Sequence, residues 1–365
     1  MKILYITNGI NDAGGLERVL SIKSSYLAEH FNYDITILSL NNNHLNPFYK
    51  FSDKINMISI PVEGNVVKYI LSYKDGVKSI IGKIQPDLIS VCDDGLKGFL
   101  IPIFLNLKVP IIYERHASVN LNFNRGDYNL LGQFKNKLQY FIMQRAAKKF
   151  DRFVVLTNGN LKEWRSTNLL VIPNPLSFLP KQMARLQNKE VIAVGSHSYN
   201  KGYDLLLLAW KKVLQNQPDW SLNIYGKIDE NRTFLTQAEN LGLEEAVNFI
   251  PPVKEIQTKY IESSIMVLPS RSEGFGMVLI EAMACGVPCV SFDCPEGPAD
   301  IIENGKDGYL VENGNIEKLA SHILKLIEDE NLRVEMGAKA RENVKRFLPE
   351  VIVKQWDELF KSLVH

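Results

Sequence analysis

The chain has little cysteine, no long apolar run and almost no net charge. Its four cysteines, Cys92, Cys285, Cys289 and Cys294, form no CxxC pair, which excludes a CxxC metal or redox motif and a disulfide scaffold. No apolar segment is long enough to cross a bilayer, and no internal repeat or low-complexity tract occurs. What remains is an ordinary globular chain of 365 residues, long enough for two domains. We expect no nucleic-acid partner.

The N-terminal segment MKILYITNG carries one lysine and a short apolar run that stops at Asn8 and Gly9. It is too brief for a signal peptide, and it predicts a first buried strand instead. Because the cysteines also lack a disulfide pattern, the sequence predicts a cytoplasmic protein.

The formal net charge of +1 conceals an asymmetry between the two halves of the chain. Residues 1–176 hold 21 Lys and Arg against 14 Asp and Glu, a net charge of +7, and the remainder carries −6. A basic half suggests that the first domain faces an anionic partner, whereas scatter over a solvated surface is the alternative.

Short apolar segments alternate with amphipathic stretches in both halves, which is the rhythm of a parallel sheet covered by helices. KILYIT, DITILSL, DLISV, VPIIYE and RFVVLT come first, and VIAVGS, SLNIYG, AVNFI, IMVLPS and PCVSF follow. The sequence therefore predicts an α/β fold with two doubly wound Rossmann-like domains, 1–176 and 190–348. A proline-containing segment without clear period, residues 171–190, predicts the linker, and residues 349–365 have helical spacing.

The stretch SRSEGFGMVLIEAMACGVPCV, residues 270–290, predicts a strand, loop, helix and strand, with Glu273 in the loop and Glu281 in the helix. Glu281 has apolar or small neighbours, so it requires partners: a ligand, or a structural ion pair. Gly274 and Gly276 allow close approach of a ligand to the backbone, and the helix N-terminus offers N–H groups to anions. Because carboxylates repel phosphate but accept hydrogen bonds from vicinal hydroxyls, a nucleotide sugar satisfies all these groups.

Two further features fit a phosphate-bearing ligand. Gly14 and Gly15 follow the first strand and lead into a helix, although a glycine pair there is often only a tight turn. Lys201 follows the first strand of the second half and precedes a helix, which suits a phosphate counter-charge; an exposed loop lysine is the alternative.

Together these motifs resemble the retaining glycosyltransferases of GT-B family 4 along nearly the whole chain. Glu273 and Glu281 match the E-x7-E pair, and GGLER, VIPNP, NKG and FDCPEGPADII follow in the family's order. The resemblance implies two domains facing a cleft, an N-terminal acceptor domain and a C-terminal nucleotide-sugar domain. It also implies that helix 349–365 crosses back to the first domain.

The resemblance also implies the roles of individual residues. Glu281 would hold the ribose hydroxyls, Glu273 and the amides of Gly274, Phe275 and Gly276 the donor sugar, and Lys201 with Gly14 and Gly15 the diphosphate. Ser196 and Met277 complete the predicted donor-binding set, and Glu273, Lys201 and His116 form the predicted catalytic set. A UDP-sugar is favoured as donor.

The sequence departs from the family at two places. Relatives commonly have arginine where this chain has Ser196, so a phosphate cation is missing or is supplied by Arg271 or His197. Relatives often have a Glu-His pair where this chain has Glu114, Arg115 and His116, which leaves open whether Arg115 or His116 enters the cleft.

The resemblance implies a front-face reaction in which the leaving diphosphate helps to remove the acceptor proton. Well-placed donors such as Lys201 would each stabilise the leaving group by roughly 2 to 4 kcal/mol. No metal or other cofactor is needed in that scheme, and no DxD-like cluster lies in a convincing loop.

The acceptor is predicted to be a glycan or a lipid-linked glycan. Residues 133–153 combine apolar side chains with Lys135, Lys137, Arg145, Lys148, Lys149 and Arg152. Such a helix can lie on an anionic inner-membrane surface, or it can be an ordinary surface helix packed on the sheet.

The predicted function is transfer of a hexose-type sugar during bacterial surface polysaccharide or glycoconjugate assembly. A sugar-nucleotide epimerase of the same architecture and a non-catalytic sugar-binding protein are the alternatives. An epimerase needs acid and base residues around the sugar, and the sequence shows no such cluster.

Overall fold

The computed structural model describes residues 1–41, 46–93, 95–105, 108–118 and 130–364. It divides into two compact units. The first comprises Met1–Ser177 and Pro349–His365, and the second comprises Phe178–Leu348. No helix of the described residues is long and apolar enough to cross a bilayer.

The first unit contains a parallel sheet of seven strands in the order β3-β2-β1-β4-β5-β6-β7. The strands are β1 (Lys2–Thr7), β2 (Asp34–Leu40), β3 (Asn56–Ile60), β4 (Leu88–Cys92), β5 (Ile111–Glu114), β6 (Arg152–Val155) and β7 (Leu169–Val171). The helices are α1 (Gly15–His30), α2 (Val66–Ile84), α3 (Leu96–Phe99), α4 (Ile101–Leu105), α5 (Leu130–Ala147) and α6 (Asn158–Leu161). Strand order reverses between β1 and β4, which marks the edge where ligands bind in such sheets.

Aromatic side chains fill much of the first unit's core. Tyr113 lies between Phe99 and Phe153, with ring centroids 4.3 and 4.9 Å away, and Trp164 lies 4.6 Å from Phe153. Because these rings come from α3, β5, β6 and the segment after α6, their packing joins the sheet to its covering layer.

The second unit contains a parallel sheet of six strands in the order β10-β9-β8-β11-β12-β13. The strands are β8 (Glu190–Val194), β9 (Ser221–Tyr225), β10 (Val247–Ile250), β11 (Ile265–Leu268), β12 (Cys289–Asp293) and β13 (Gly308–Glu312). The helices are α7 (Tyr203–Asn216), α8 (Thr233–Leu241), α9 (Ile256–Glu262), α10 (Met277–Ala284), α11 (Pro298–Ile301), α12 (Ile316–Glu328) and α13 (Glu330–Asn343). Short 3₁₀ turns cover Tyr199–Lys201 and Val344–Phe347. Strand order reverses here between β8 and β11.

The segment that sequence analysis treats as a linker, 171–190, contributes to packing in the second unit from Phe178 onward. Arg333 of α13 donates from Nε to the carbonyl oxygen of Leu186 at 3.1 Å, and the Ala184 N–H donates to Cys285 O at 2.8 Å. These bonds hold the segment against α13 and the end of α10.

The C-terminal helix α14 (Pro349–Val364) belongs to the first unit. Its buried residues are Ile352, Val353, Trp356, Asp357, Leu359 and Phe360, the helical spacing that faces a core. The Tyr33 hydroxyl donates to Asp357 Oδ1 at 2.6 Å, which satisfies the one carboxylate on this buried face.

Candidate active site

The loops after β8 and β11 pack together at the point where strand order reverses in the second unit. Gly202 makes this possible, because a Cβ there would lie 2.0 Å from the carbonyl oxygen of Pro269, and its φ is +64°. The preceding 3₁₀ turn ends at Lys201, whose Nζ lies 2.7 Å from Glu273 Oε1. The structure thus brings together two predicted catalytic residues that are 72 positions apart in sequence.

The pair of Lys201 and Glu273 is largely shielded, with side chains 22% and 10% exposed. The Ser270 hydroxyl donates to the same Glu273 oxygen at 2.6 Å, so this oxygen accepts two hydrogen bonds. Such a pair interacts more strongly than one on an open surface, and it keeps the ammonium at the carboxyl ends of β8 and β11. Ser270 was absent from the predicted site, although it lies three residues before Glu273.

The loop from Gly274 to Gly276 leads directly into α10. Gly276 is the N-cap, with φ +100° and no side-chain cap, so backbone N–H groups at this helix start lack a capping side chain. The ring of Phe275 is buried and lies edge-on to Phe347, with centroids 5.6 Å apart. Phe275 can therefore serve a ligand only through its backbone, while Met277, the first helical residue, is half-buried.

Glu281 is completely buried within α10. The Tyr260 hydroxyl, from α9, donates to Glu281 Oε2 at 3.4 Å. A carboxylate on so apolar a helix requires such partners. Its predicted role at the ribose stays a prediction.

His197, one proposed replacement for the missing arginine, lies in an aromatic enclosure. The rings of Tyr203, Phe234 and Phe249 have centroids 5.6, 5.9 and 5.4 Å from its own, all in edge contacts. Burial lowers the pKa of His197, against a smaller opposing effect of Asp229. In the absence of a bound anion, His197 therefore favours the neutral form more than an exposed histidine does.

Arg271, the other proposed replacement, is already paired. Its guanidinium donates to both carboxylate oxygens of Asp204, at 2.8 and 2.6 Å, and lies 4.0 Å from the ring centroid of Tyr199. The hydrogen bonds to Asp204 raise the pKa of Arg271 further. Of the three cations considered from sequence, Lys201 is the one beside Glu273, and Ser196 itself is exposed at the end of β8.

Three residues of these loops have buried polar atoms without hydrogen-bond partners within the described part of the chain. They are the Asn200 side-chain oxygen, the Ser272 hydroxyl and the two ring nitrogens of His197. Buried polar atoms are nearly always satisfied in folded proteins, so a concentration of exceptions indicates a place where a ligand supplies partners.

In the first unit, Gly14 and Gly15 begin α1 as predicted from the sequence. Gly14 is the N-cap without a side-chain cap, and no atom lies within 4 Å of a Cβ placed on Gly15. A Cβ on Gly14, however, would lie 2.2 Å from Glu17 Oε2. The Glu17 carboxylate thus lies at the helix start where the resemblance implies a diphosphate. Glu17 was not among the predicted site residues, although acidic residues are favoured in the first turn of a helix.

Glu114, Arg115 and His116, the three residues that depart from the family pattern, point to different sides of the chain at the end of β5. The Arg115 guanidinium is buried, with Nη2 donating to Ser118 O at 3.4 Å and Cζ 6.0 Å from the Trp164 ring centroid. His116 lies on the other side, with Nε2 3.1 Å from Glu114 Oε2. Alternation along an extended chain therefore places His116, and not Arg115, beside Glu114.

Cys92, Glu114 and His116 offer one ligand atom each within 4.8 Å of one another, a spacing that would suit a metal ion. Lys23, however, contacts Glu114 Oε2 with its own ammonium. A side-chain cation thus already neutralises the carboxylate that a metal would need.

Comparison with known proteins gives a consistent result. A family model described as Glycosyl transferases group 1 matches residues 178–343. An uncharacterized glycosyltransferase of Haemophilus influenzae is 32% identical over 361 residues, covering 97% of this chain and 98% of that protein. The amylovoran biosynthesis glycosyltransferase AmsD of Erwinia amylovora is 30% identical, covering 98% of this chain and 99% of that protein.

Solved structures share the architecture at low sequence identity. Sucrose-phosphate synthase of Thermosynechococcus elongatus has a TM-score of 0.85 at 18% identity, over 100% of this chain and 99% of that chain. A TarM variant of S. aureus, solved with UDP, has a TM-score of 0.81 at 19% identity, over 98% and 99%. These likenesses confirm the predicted fold class of two Rossmann-like α/β domains.

Proposed function

Because this chain belongs to the group 1 glycosyltransferases, we propose that it is a retaining enzyme of family 4 that uses a UDP-sugar donor. It transfers a hexose-type sugar to a glycan or lipid-linked acceptor in bacterial surface polysaccharide or glycoconjugate assembly. The observation that carries the proposal is the contact between Lys201 and Glu273 at the carboxyl ends of β8 and β11, beside the uncapped start of α10.

The comparisons support the donor and the process in this proposal. The TarM variant was solved with UDP, and Anabaena HepE was solved with UDP-glucose. AmsD is named for amylovoran biosynthesis, and a partial relative of S. aureus for transfer of N-acetylglucosamine to poly(ribitol-phosphate). The epimerase and the non-catalytic sugar-binding protein receive no support, since these relatives are named as transferases.

The proposed mechanism follows from how the two charges respond to a ligand. A diphosphate would draw the Lys201 ammonium away from Glu273, and the freed carboxylate would accept hydrogen bonds from sugar hydroxyls. As the bond between the anomeric carbon of the sugar and the diphosphate oxygen breaks, negative charge develops on the diphosphate, and Lys201 and the N–H groups at the start of α10 stabilise it. The acceptor hydroxyl oxygen bonds to the anomeric carbon on the same face, and its proton passes to the leaving diphosphate. The proposal needs no metal ion.

Donor binding and turnover test this proposal separately. A thermal-shift screen of UDP-, GDP- and ADP-sugars should single out a UDP-sugar, because a ligand at 100-fold its Kd stabilises by about 2.7 kcal/mol. UDP release on adding a glycan acceptor, with anomeric configuration retained by NMR, would then support the reaction. Inversion of the anomeric configuration would overturn the retaining mechanism, and preference for a GDP- or ADP-sugar would overturn the choice of donor.

We extend the proposal to an anionic inner-membrane surface and a cytoplasmic location. Phe134, Leu138 and Phe141 of α5 are 68%, 49% and 53% exposed, while Met143 is buried on the opposite side. A cavity of about 510 Å³ lies beside Phe141. It is lined by Lys137, Tyr140, Phe141, Gln144, Arg145, Lys148 and Arg165. Exposed apolar residues beside four cations suit a bilayer with anionic lipids.

A further inference from the structure

Glu114, at the end of β5, is the centre of a buried polar cluster in the first unit. Its Oε1 accepts a hydrogen bond from Ser90 Oγ at 2.5 Å. Its Oε2 contacts the ammonium of Lys23 and lies 3.1 Å from His116 Nε2. The cluster therefore joins α1, β4 and β5 to the segment that carries His116.

Lys23 is completely buried, which is rare for a lysine unless it is paired. Besides Glu114, its ammonium faces two aromatic rings, with the centroid of Trp356 at 3.9 Å and that of Tyr5 at 5.0 Å. Trp356 belongs to α14, so the C-terminal helix helps to position the Lys23 ammonium that contacts Glu114.

Glu114 stays ionised in this setting. Burial alone would raise its pKa, but Lys23 and His116 outweigh that effect and lower the pKa to about 2. An ionised carboxylate only accepts hydrogen bonds, so in the neutral form of His116 the ring proton resides on Nε2. The other nitrogen, Nδ1, is buried and has no partner among the described residues.

We propose that Lys23 and Glu114 are positioning residues that hold His116 as its Nε2–H tautomer, so that Nδ1 accepts a hydrogen bond from a sugar hydroxyl. The inference rests on the proposed glycosyltransferase function, and it gives a role to Lys23 and Glu114, which lie outside the predicted site. Glu114 acts on the substrate only through His116. Lys23 acts only by keeping Glu114 charged and in place.

The tautomer can be measured without turnover. Two-dimensional ¹⁵N–¹H spectra of the full chain labelled at histidine, assigned with His116→Gln, should show neutral His116 protonated at Nε2. In Glu114→Gln the side-chain amide can donate as well as accept, so the spectrum should shift toward the Nδ1–H form. A parent protein with Nδ1–H dominant would overturn the proposal. Since no substrate is needed, this result stands even if the donor assignment is wrong.

Kinetics test whether the tautomer matters. Glu114→Gln and His116→Ala should each lower kcat by at least about tenfold, with a smaller change in donor KM. The double variant should have a kcat no lower than that of His116→Ala alone, because the two substitutions remove the same interaction. Independent, multiplicative losses would overturn the proposal. If the parent protein bound no UDP-sugar, that result would instead count against the proposed function.

A charge-balanced variant separates positioning from folding. Lys23→Met alone leaves an unpaired buried carboxylate and should lower the melting temperature strongly. Lys23→Met with Glu114→Gln removes both charges and should recover much of that stability while kcat stays low. Parental kcat in a stable double variant would overturn the proposal. Lys361→Met is the matched control, since it breaks the pair with Asp357 on α14 and leaves the cluster untouched.

Discussion

Truncation of Lys201 is the most direct test of the donor site. Its Nζ lies 2.7 Å from Glu273, in a pair whose side chains are 22% and 10% exposed. A contact to the leaving diphosphate from this position is shielded from solvent, and it strengthens as negative charge develops there. Lys201→Ala should therefore lower kcat on the order of 100-fold or more. The fold should persist, because Ser270 still donates to Glu273.

Ser196 provides the matching gain of function. It is exposed at the end of β8, so an arginine can be introduced there without displacing core residues. Ser196→Arg in the Lys201→Ala background should recover part of the lost kcat, since a guanidinium can reach the same phosphates. Steady-state kinetics on the parent, both single variants and the double variant measure this coupling.

A surface lysine of the same unit serves as control. Lys212 forms an exposed ion pair with Glu317 at 2.8 Å, and Lys212→Ala should leave kcat unchanged. The reasoning is refuted if Lys201→Ala keeps parental kcat and kcat/KM, or if Ser196→Arg has no effect in either background. The diphosphate would then be held by backbone N–H groups, by His197, or by Arg271 after release from Asp204.

Three further predictions concern other parts of the protein. Glu281→Ala should weaken UDP-sugar binding by about 1.5 to 3 kcal/mol in calorimetry; normal binding with a much lower melting temperature would show a structural role instead. Glu17→Gln should lower the donor KM up to roughly fivefold, because it removes about 1 kcal/mol of repulsion between its carboxylate and a diphosphate at the start of α1; an unchanged KM contradicts this, and exposed Glu29→Gln on the same helix is the control. Replacing Lys148, Lys149 and Arg152 by glutamine should reduce cosedimentation with anionic liposomes by about 1 kcal/mol per charge; undiminished binding, or no binding by the parent, would remove the membrane from the proposal.

The strands that were not predicted from the sequence share a position in their sheets. Asn56–Ile60, Leu169–Val171 and Gly308–Glu312 were missed, and all three are edge strands. Apolar continuity is the signal of a strand covered on both faces, and edge strands have less of it. Leu169–Val171, for example, is exposed or half-buried throughout.

Recognition of the candidate site from sequence depended on whether its signal was local. Glu273, Gly274, Gly276 and α10 follow one another in a single motif, so their association was predictable. Lys23 had no such signal, because a lone lysine in a helix resembles any surface lysine and its partner Glu114 lies 91 residues away. Only the packing of α1 against the end of β5 shows that Lys23 is buried.

The sequence by itself determined the fold class, because the alternation of strands and helices is a property of the chain order. It indicated the enzyme class through motifs, Glu273 and Glu281 among them, that resemble a known family. Only the tertiary structure decided which candidate groups are available for chemistry. Asp204 binds Arg271, Phe234 and Phe249 enclose His197, and Glu273 pairs with Lys201. The charge and reach of each side chain depend on such neighbours from distant segments, and folding alone brings them together.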